Sequence, residues 1–186
     1  VIISRIEKVS WAESLRKRIF DPFKMVNTTT EGDSPERPEN LATGLLPLTF
    51  LSKVFFLALP HWNYSMIKGA GGIVSTVDDL HLWNEGLTRK AIADPVWASE
   101  YFPHGVPGDE NYSFGWIYSE NALLHESKVK TFNHAGEDPG YCGTNIRIAE
   151  ANANFMLTTN SDYCALKDHV YRPLIRAVMT YLHSGS

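Results

Sequence analysis

From Tyr112 onward the sequence changes texture, and this change constrains the fold more than any other feature. Short runs rich in Phe, Trp, Ile, Val and Thr occupy 113–118, 130–134, 144–149 and 154–159, and each has the length and composition of a strand. The polar connection Glu150-Ala151-Asn152-Ala153 between the last two suits a hairpin. Before Tyr112 the recognisable periodicities are helical. Helices, then consecutive antiparallel strands, then a closing helix make an α+β order rather than an alternating βαβ one. The division falls at about 1–110 for the helical region and about 111–186 for the sheet and C-terminal helix.

In the first region, apolar residues at Ile2, Ile6 and Val9 with charges between them read as a helix already under way at Val1, so the start is expected to be a cut through a longer chain. Ser10 can cap a second helix, Trp11 to Phe20, which Asp21-Pro22 should stop because proline's ring cannot continue it. Asn27 to Asn40 reads as a polar loop. Leu41 to Pro60 is apolar but aperiodic, and is expected to be a buried connection or a short helix lining a pocket. After the glycines of 69–72, Ser75 with Asp78 three positions on resembles a capping box, predicting a helix from about Thr76 to Gly86 that turns Val77, Leu80, Trp83 and Leu87 inward. Val170, Leu174, Val178 and Leu182 predict a final helix packed on the sheet.

Composition narrows the function classes. With 186 residues, 44% of them hydrophobic, the chain can bury one core of ordinary domain size. A net charge of −4 and the lack of a basic run argue against nucleic acid as a partner. The longest apolar stretch, Leu45 to Pro60, is interrupted by Pro47, Ser52 and Lys53 and is too short to span a membrane. Cys142 and Cys164 are too few for a disulfide framework, and neither they nor His61, His81, His104, His125, His169 and His183 show metal-ligand spacing, so no metal or other cofactor is expected. Trp62, Trp83, Trp97 and Trp116 are best read as core aromatics.

Four segments together carry a family resemblance: Gly71-Gly72-Ile73-Val74-Ser75-Thr76, Tyr112-Ser113-Phe114-Gly115-Trp116, His134-Ala135-Gly136 with Pro139-Gly140-Tyr141, and Leu157-Thr158-Thr159-Asn160-Ser161. In this order they resemble the serine β-lactamase and penicillin-binding-protein superfamily, nearest its class C and related esterase branch. Asp21-Pro22-Phe23-Lys24-Met25 with Thr28 is similar to that family's Pro-Leu-Gly-Met-x-x-Thr signature, with Phe-Lys in place of Leu-Gly. The resemblance covers nearly the whole chain but only the C-terminal part of the family's domain. It implies a β-lactamase/transpeptidase-like fold, an antiparallel sheet covered by helices, with the N-terminal part of the domain missing.

The chemistry implied is ester or amide cleavage through an acyl-enzyme, of esterase, DD-peptidase or β-lactamase type, on a small-molecule substrate. The family's nucleophilic Ser-x-x-Lys helix and its Tyr-x-Asn segment would lie before Val1, and no Tyr-x-Asn occurs in the chain. This portion alone is therefore expected to be inactive. Ser14-Lys17, Ser65-Lys68 and Ser127-Lys130 match the spacing but not the family's order: the first reads as a solvated helix face, the last as a polar loop, and Ser65-Lys68, beside Tyr64 and before the glycines, leaves a rearranged active site as a third reading. What the resemblance assigns here is an edge-strand wall. His134 takes the place of the more familiar lysine, Ala135 and Gly136 leave the substrate room, and the backbone N–H of Glu137 serves as an oxyanion-hole donor. A His in place of a permanent cation suits an esterase, amidase or peptidase better than a β-lactamase. The alternative of another class is a non-catalytic binding or interaction module on the same fold. Loss of the N-terminal strands would also uncover a sheet edge and promote self-association.

Overall fold

A computed structural model of the chain describes residues 2–31, 39–51, 53–62, 67–101, 111–124, 127–148, 152–161, 173–174, 176–177 and 180–181. The first helix, α1 (Ile2–Glu7), does not bury the stripe expected of it, since Ile2 and Ile6 are both largely exposed. Ser10 caps α2 (Trp11–Leu15) as its sequence position predicts. Its backbone is extended, and its hydroxyl oxygen accepts from the Glu13 N–H at 3.0 Å.

The stop expected at Asp21-Pro22 is displaced. The chain passes through a π-helical turn, Arg16–Phe20, and continues as a further turn of α-helix, α3 (Asp21–Phe23). A π turn bonds each N–H to the carbonyl five residues back, as the Asp21 N–H does to Arg16, so the ladder skips a place just where Pro22 brings no donor. The helix ends at Lys24, whose φ of 60° is left-handed. Lys24 N–H bonds to the Asp21 carbonyl at 3.1 Å and Met25 N–H to that of Phe20 at 2.8 Å, a Schellman end.

Two small two-stranded sheets lie in the region expected to be helical. One pairs β1 (Thr29–Thr30) with β4 (Ile73–Val74). The other overturns the reading of Leu41 to Pro60: β2 (Leu45–Phe50) and β3 (Lys53–Ala58) form an antiparallel hairpin, neither helical nor buried, and every residue of β3 is exposed. Both of its faces are apolar, so its strands show no alternation from which a period of two could be read. Trp62, expected in the core, is exposed as well.

Among the described residues, the hairpin is tied down at its base. Leu45 N–H bonds to the Asn160 carbonyl at 2.8 Å, the Tyr141 hydroxyl to the Ala42 carbonyl at 2.6 Å, and the Asn160 side-chain amide to the Thr43 carbonyl at 2.8 Å. Gly140, with φ +83°, lies against Gly44 so closely that a Cβ on it would sit 2.7 Å from the Gly44 Cα.

Helix α4 (Val77–Ala93) runs well past the Gly86 end that its periodicity suggested, and its cap is Thr76 rather than Ser75. Thr76 Oγ1 accepts from Asp79 N–H at 3.2 Å, so the capping frame is shifted by one residue and Asp78 does not take the role predicted for it. Asp79 is buried and reaches away from its own helix to the segment after α3. Its carboxylate accepts from Asn27 N–H at 2.8 Å and from the Thr28 hydroxyl at 2.6 Å. Leu87 is buried as expected, whereas Val77 is exposed. Gly86 gives the Phe23 ring room to lie on the helix, beside Trp83 at a centroid distance of 5.3 Å. A short helix, α5 (Pro95–Tyr101), follows.

The expected sheet is present and longer than the sequence suggested. β5 (Tyr112–Ser113), β6 (Trp116–Leu124), β7 (Ser127–Asp138), β8 (Tyr141–Ile148) and β9 (Ala153–Thr159) pair antiparallel in chain order. Ile146 and Ile148 are buried on one face of it, together with Cys142, which is disulfide-bonded, and Trp116 is buried at the start of β6. On its other face α4 packs through a reciprocal amide pair: Asn84 Nδ2 donates to Asn145 Oδ1 at 2.9 Å and Asn145 Nδ2 to Asn84 Oδ1 at 3.1 Å. Of the C-terminal helix, Val170, Val178 and Leu182 lie outside the described residues; Leu174, expected to pack on the sheet, is exposed.

Candidate active site

A tight turn brings the first two site groups together. Phe114 and Gly115 both have positive φ, 47° and 86°, as a two-residue hairpin loop of the primed type requires, and they fold Tyr112 back opposite Ile117. Ile117 in turn is opposite Asn133 in β7. At this end of the sheet Tyr112 reaches the next residue of β7, its hydroxyl 3.3 Å from His134 Nε2 and its ring edge-on to the imidazole at 5.9 Å. Sequence reasoning singled out the Tyr112 segment for its family resemblance but gave the tyrosine no part in the site. Its contact with His134 depends on strand register, which motif spacing does not carry.

The pairing of β6 with β7 ends at Asn133, while β7 runs on through His134, Ala135, Gly136, Glu137 and Asp138, paired there with β8. His134 stands opposite Asn145, and Asn145 opposite Met156. Because directly opposed side chains share a face, His134 lies on the face that α4 covers through Asn84. His134 through Glu137 are all exposed. At Gly136 the space a Cβ would occupy is empty, with no atom within 4 Å, so the strand can be approached closely from the His134 side. At the end of the strand, burial pushes the Asp138 carboxyl above the usual carboxylate range.

None of the alternative serine–lysine pairs forms a site among the described residues. Ser14 is buried instead of facing solvent, and its hydroxyl donates to Glu7 at 2.7 Å, while Lys17 is exposed within the π turn. Glu7 is held below the usual carboxylate range by that hydroxyl and then by Arg18, with which it forms an ion pair. Ser127 and Lys130 lie on β7 rather than in a loop, and a three-residue spacing has no helical turn there to give it meaning. Ser65 falls outside the described residues. Among the described residues no group of three or more His, Cys, Asp or Glu side chains could hold a metal ion. No helix among them is long and apolar enough to cross a membrane. A cavity of about 220 Å³ between α2 and β1, lined by Ala12, Glu13, Arg16, Phe20, Thr29 and Thr30, is separate from His134.

A five-stranded antiparallel sheet with a titratable imidazole on an uncovered strand end, helices against that face, and a glycine beside it define a β-lactamase/transpeptidase-like architecture. The family model for Beta-lactamase matches residues 1–180, and the chain belongs to that family, within the serine β-lactamase and penicillin-binding-protein superfamily of hydrolases. No curated protein matches the chain. Among solved structures, the D-amino acid amidase from Ochrobactrum anthropi SV3, complexed with L-phenylalanine amide, superposes with a TM-score of 0.72 at 24% identity, over 100% of this chain and 56% of its own. The D-stereospecific amidohydrolase from Streptomyces sp. gives 0.63 at 20% identity, over 87% and 47%. The penicillin binding protein from Bacillus halodurans gives 0.62 at 16% identity, over 86% and 48%. These likenesses establish the fold, and the chain spans about half the length of the solved structures it matches.

Proposed function

We propose that the chain supplies the edge-strand wall of a serine-hydrolase site that cleaves an ester or amide through an acyl-enzyme. The observation that carries this reading is the placement of His134: on the helix-covered face of β7, past the last residue that pairs with β6, with the Tyr112 hydroxyl at its Nε2. An imidazole held there can donate to a substrate carbonyl or carboxylate lying along the strand, and Gly136 leaves that path open. Ala135 adds little bulk to the strand between them. The backbone N–H of Glu137 is assigned to the oxyanion that forms when a serine attacks the scissile carbonyl. The serine, its lysine and a tyrosine belong to a Ser-x-x-Lys helix followed by a Tyr-x-Asn segment; the Ser-x-x-Lys matches of this sequence fall outside that order and it has no Tyr-x-Asn, so the chain by itself is inactive. Amides are the first substrates to test, because two of the structural neighbours are amide hydrolases by name.

The test compares this chain with the longer protein that carries it, using a fluorophosphonate probe and p-nitrophenyl ester or anilide turnover. The chain alone should neither label nor turn over. The longer protein should do both, and His134→Ala should lower its turnover about a hundredfold, the cost of losing one transition-state donor. Turnover unchanged by His134→Ala would remove His134 from the site. A longer protein that never labels would leave a binding module on a hydrolase fold.

A further inference from the structure

Among the described residues, the outer edge of the hairpin β2–β3 is uncovered. Among the described residues β3 pairs with β2 alone, and its six residues are exposed across a segment, Lys53-Val54-Phe55-Phe56-Leu57-Ala58, of high strand propensity with a single charge. Pro47 fixes which backbone groups of that edge are unsatisfied. It stands opposite Phe56, and having no N–H it cannot form a doubly hydrogen-bonded pair, so this is a non-bonded position of the ladder. The same phase follows from the two-residue loop, which closes on Phe50 opposite Lys53. Alternation then turns the N–H and C=O groups of Val54, Phe56 and Ala58 away from β2.

Those groups decide what can cover the hairpin. A lipid phase would hide the apolar side chains but leave three donors and three acceptors without partners in hydrocarbon. Another strand satisfies both at once. The edge is also complementary to itself: in an antiparallel pair centred on Phe56, Phe56 opposes Phe56 and Val54 opposes Ala58, each pair exchanging N–H···O=C bonds. Phe55 then opposes Leu57, and the two Lys53 side chains fall at opposite ends, so no like charges face each other.

We propose that β3 is a homodimer edge, pairing antiparallel with β3 of a second copy about a two-fold axis at Phe56 and joining two hairpins into one four-stranded sheet. This interface is independent of the catalytic reading and lies on a different edge from the five-stranded sheet.

Light scattering of this chain across a range of concentrations tests it, with the expected rise from 20.9 kDa to twice that mass. Phe56→Pro removes the central outward donor while the hairpin accommodates a proline there as it does at Pro47 opposite, and it should hold the mass at one chain with an unchanged circular dichroism spectrum. Phe56→Cys should oxidise to a covalent dimer, which tests the register even where the proline variant fails to fold. Three outcomes overturn the proposal: a wild-type chain that stays at the single mass, a folded Phe56→Pro variant that still doubles, or a monomer that floats with phosphatidylcholine–phosphatidylglycerol vesicles.

Discussion

The carboxylate of Asp79 accepts the hydroxyl hydrogen of Thr28 at 2.6 Å, across 51 residues of sequence. The same oxygen takes the Asn27 N–H, and Thr28 also lies 2.8 Å from the Ser75 hydroxyl. The two segments that resemble family signatures before the sheet, one ending in Thr28 and the other leading into α4, are therefore one structural unit. Its charge is buried and its donors are matched, so removing the carboxylate strands them. Asp79→Ala should cost about 2–4 kcal/mol in urea unfolding, whereas Asp78→Ala, on the exposed neighbour, should cost less than about 0.5 kcal/mol. Equal costs would mean that the carboxylate at Asp79 acts only on the helix end.

Lys24 occupies the left-handed position of a Schellman end where the family signature has glycine. A Cβ there crowds the following carbonyl. Lys24→Gly should raise stability by about 0.5–1 kcal/mol, the relief of the left-handed backbone less the extra entropy of glycine in the unfolded chain. Lys24→Ala keeps the Cβ and should bring no gain, and thermal unfolding of the two variants separates the backbone effect from loss of the charge.

Burial raises the Asp138 carboxyl, so the folded chain holds this proton to a higher pH than the unfolded chain does. Folding stability from this group is complete below the ordinary carboxylate value and is lost as pH rises through the raised one. Asp138→Asn should therefore raise the melting temperature at about pH 7 and leave it nearly unchanged at about pH 3. A variant that melts below the wild type at neutral pH would show that the carboxylate is stabilised by its surroundings.

Four strand runs were legible because they alternate or run apolar between turn residues, but the first, 113–118, was read as one strand across the Phe114–Gly115 turn, so β5 was missed and β6 was read short. Ser10 was legible as a cap because its hydroxyl acts within three residues of itself. The failures share a cause. Asp78 and Asp79 look equivalent in sequence, and only the arrival of Thr28 decides which is buried. Pro22 was read as a stop because a sequence does not announce a π turn, whose bond from the Asp21 N–H skips to the Arg16 carbonyl five residues back. Leu41 to Pro60 carries no period, since neither face of its hairpin is polar. His134 could be picked out by its Ala-Gly neighbours, but Tyr112 beside it could not, because two strand pairings stand between them.

The contact of Gly140 with Gly44 has a mechanical meaning. With no side chain on either, the base of the hairpin and the turn that ends β7 meet backbone to backbone, and the bonds from Tyr141 to Ala42 and from Asn160 to Thr43 and Leu45 clamp the joint on both sides. The hairpin thus hangs from the turn that follows β7 and from the neighbouring ends of β8 and β9, so its base is fixed to the same end of the sheet to which β7 carries His134.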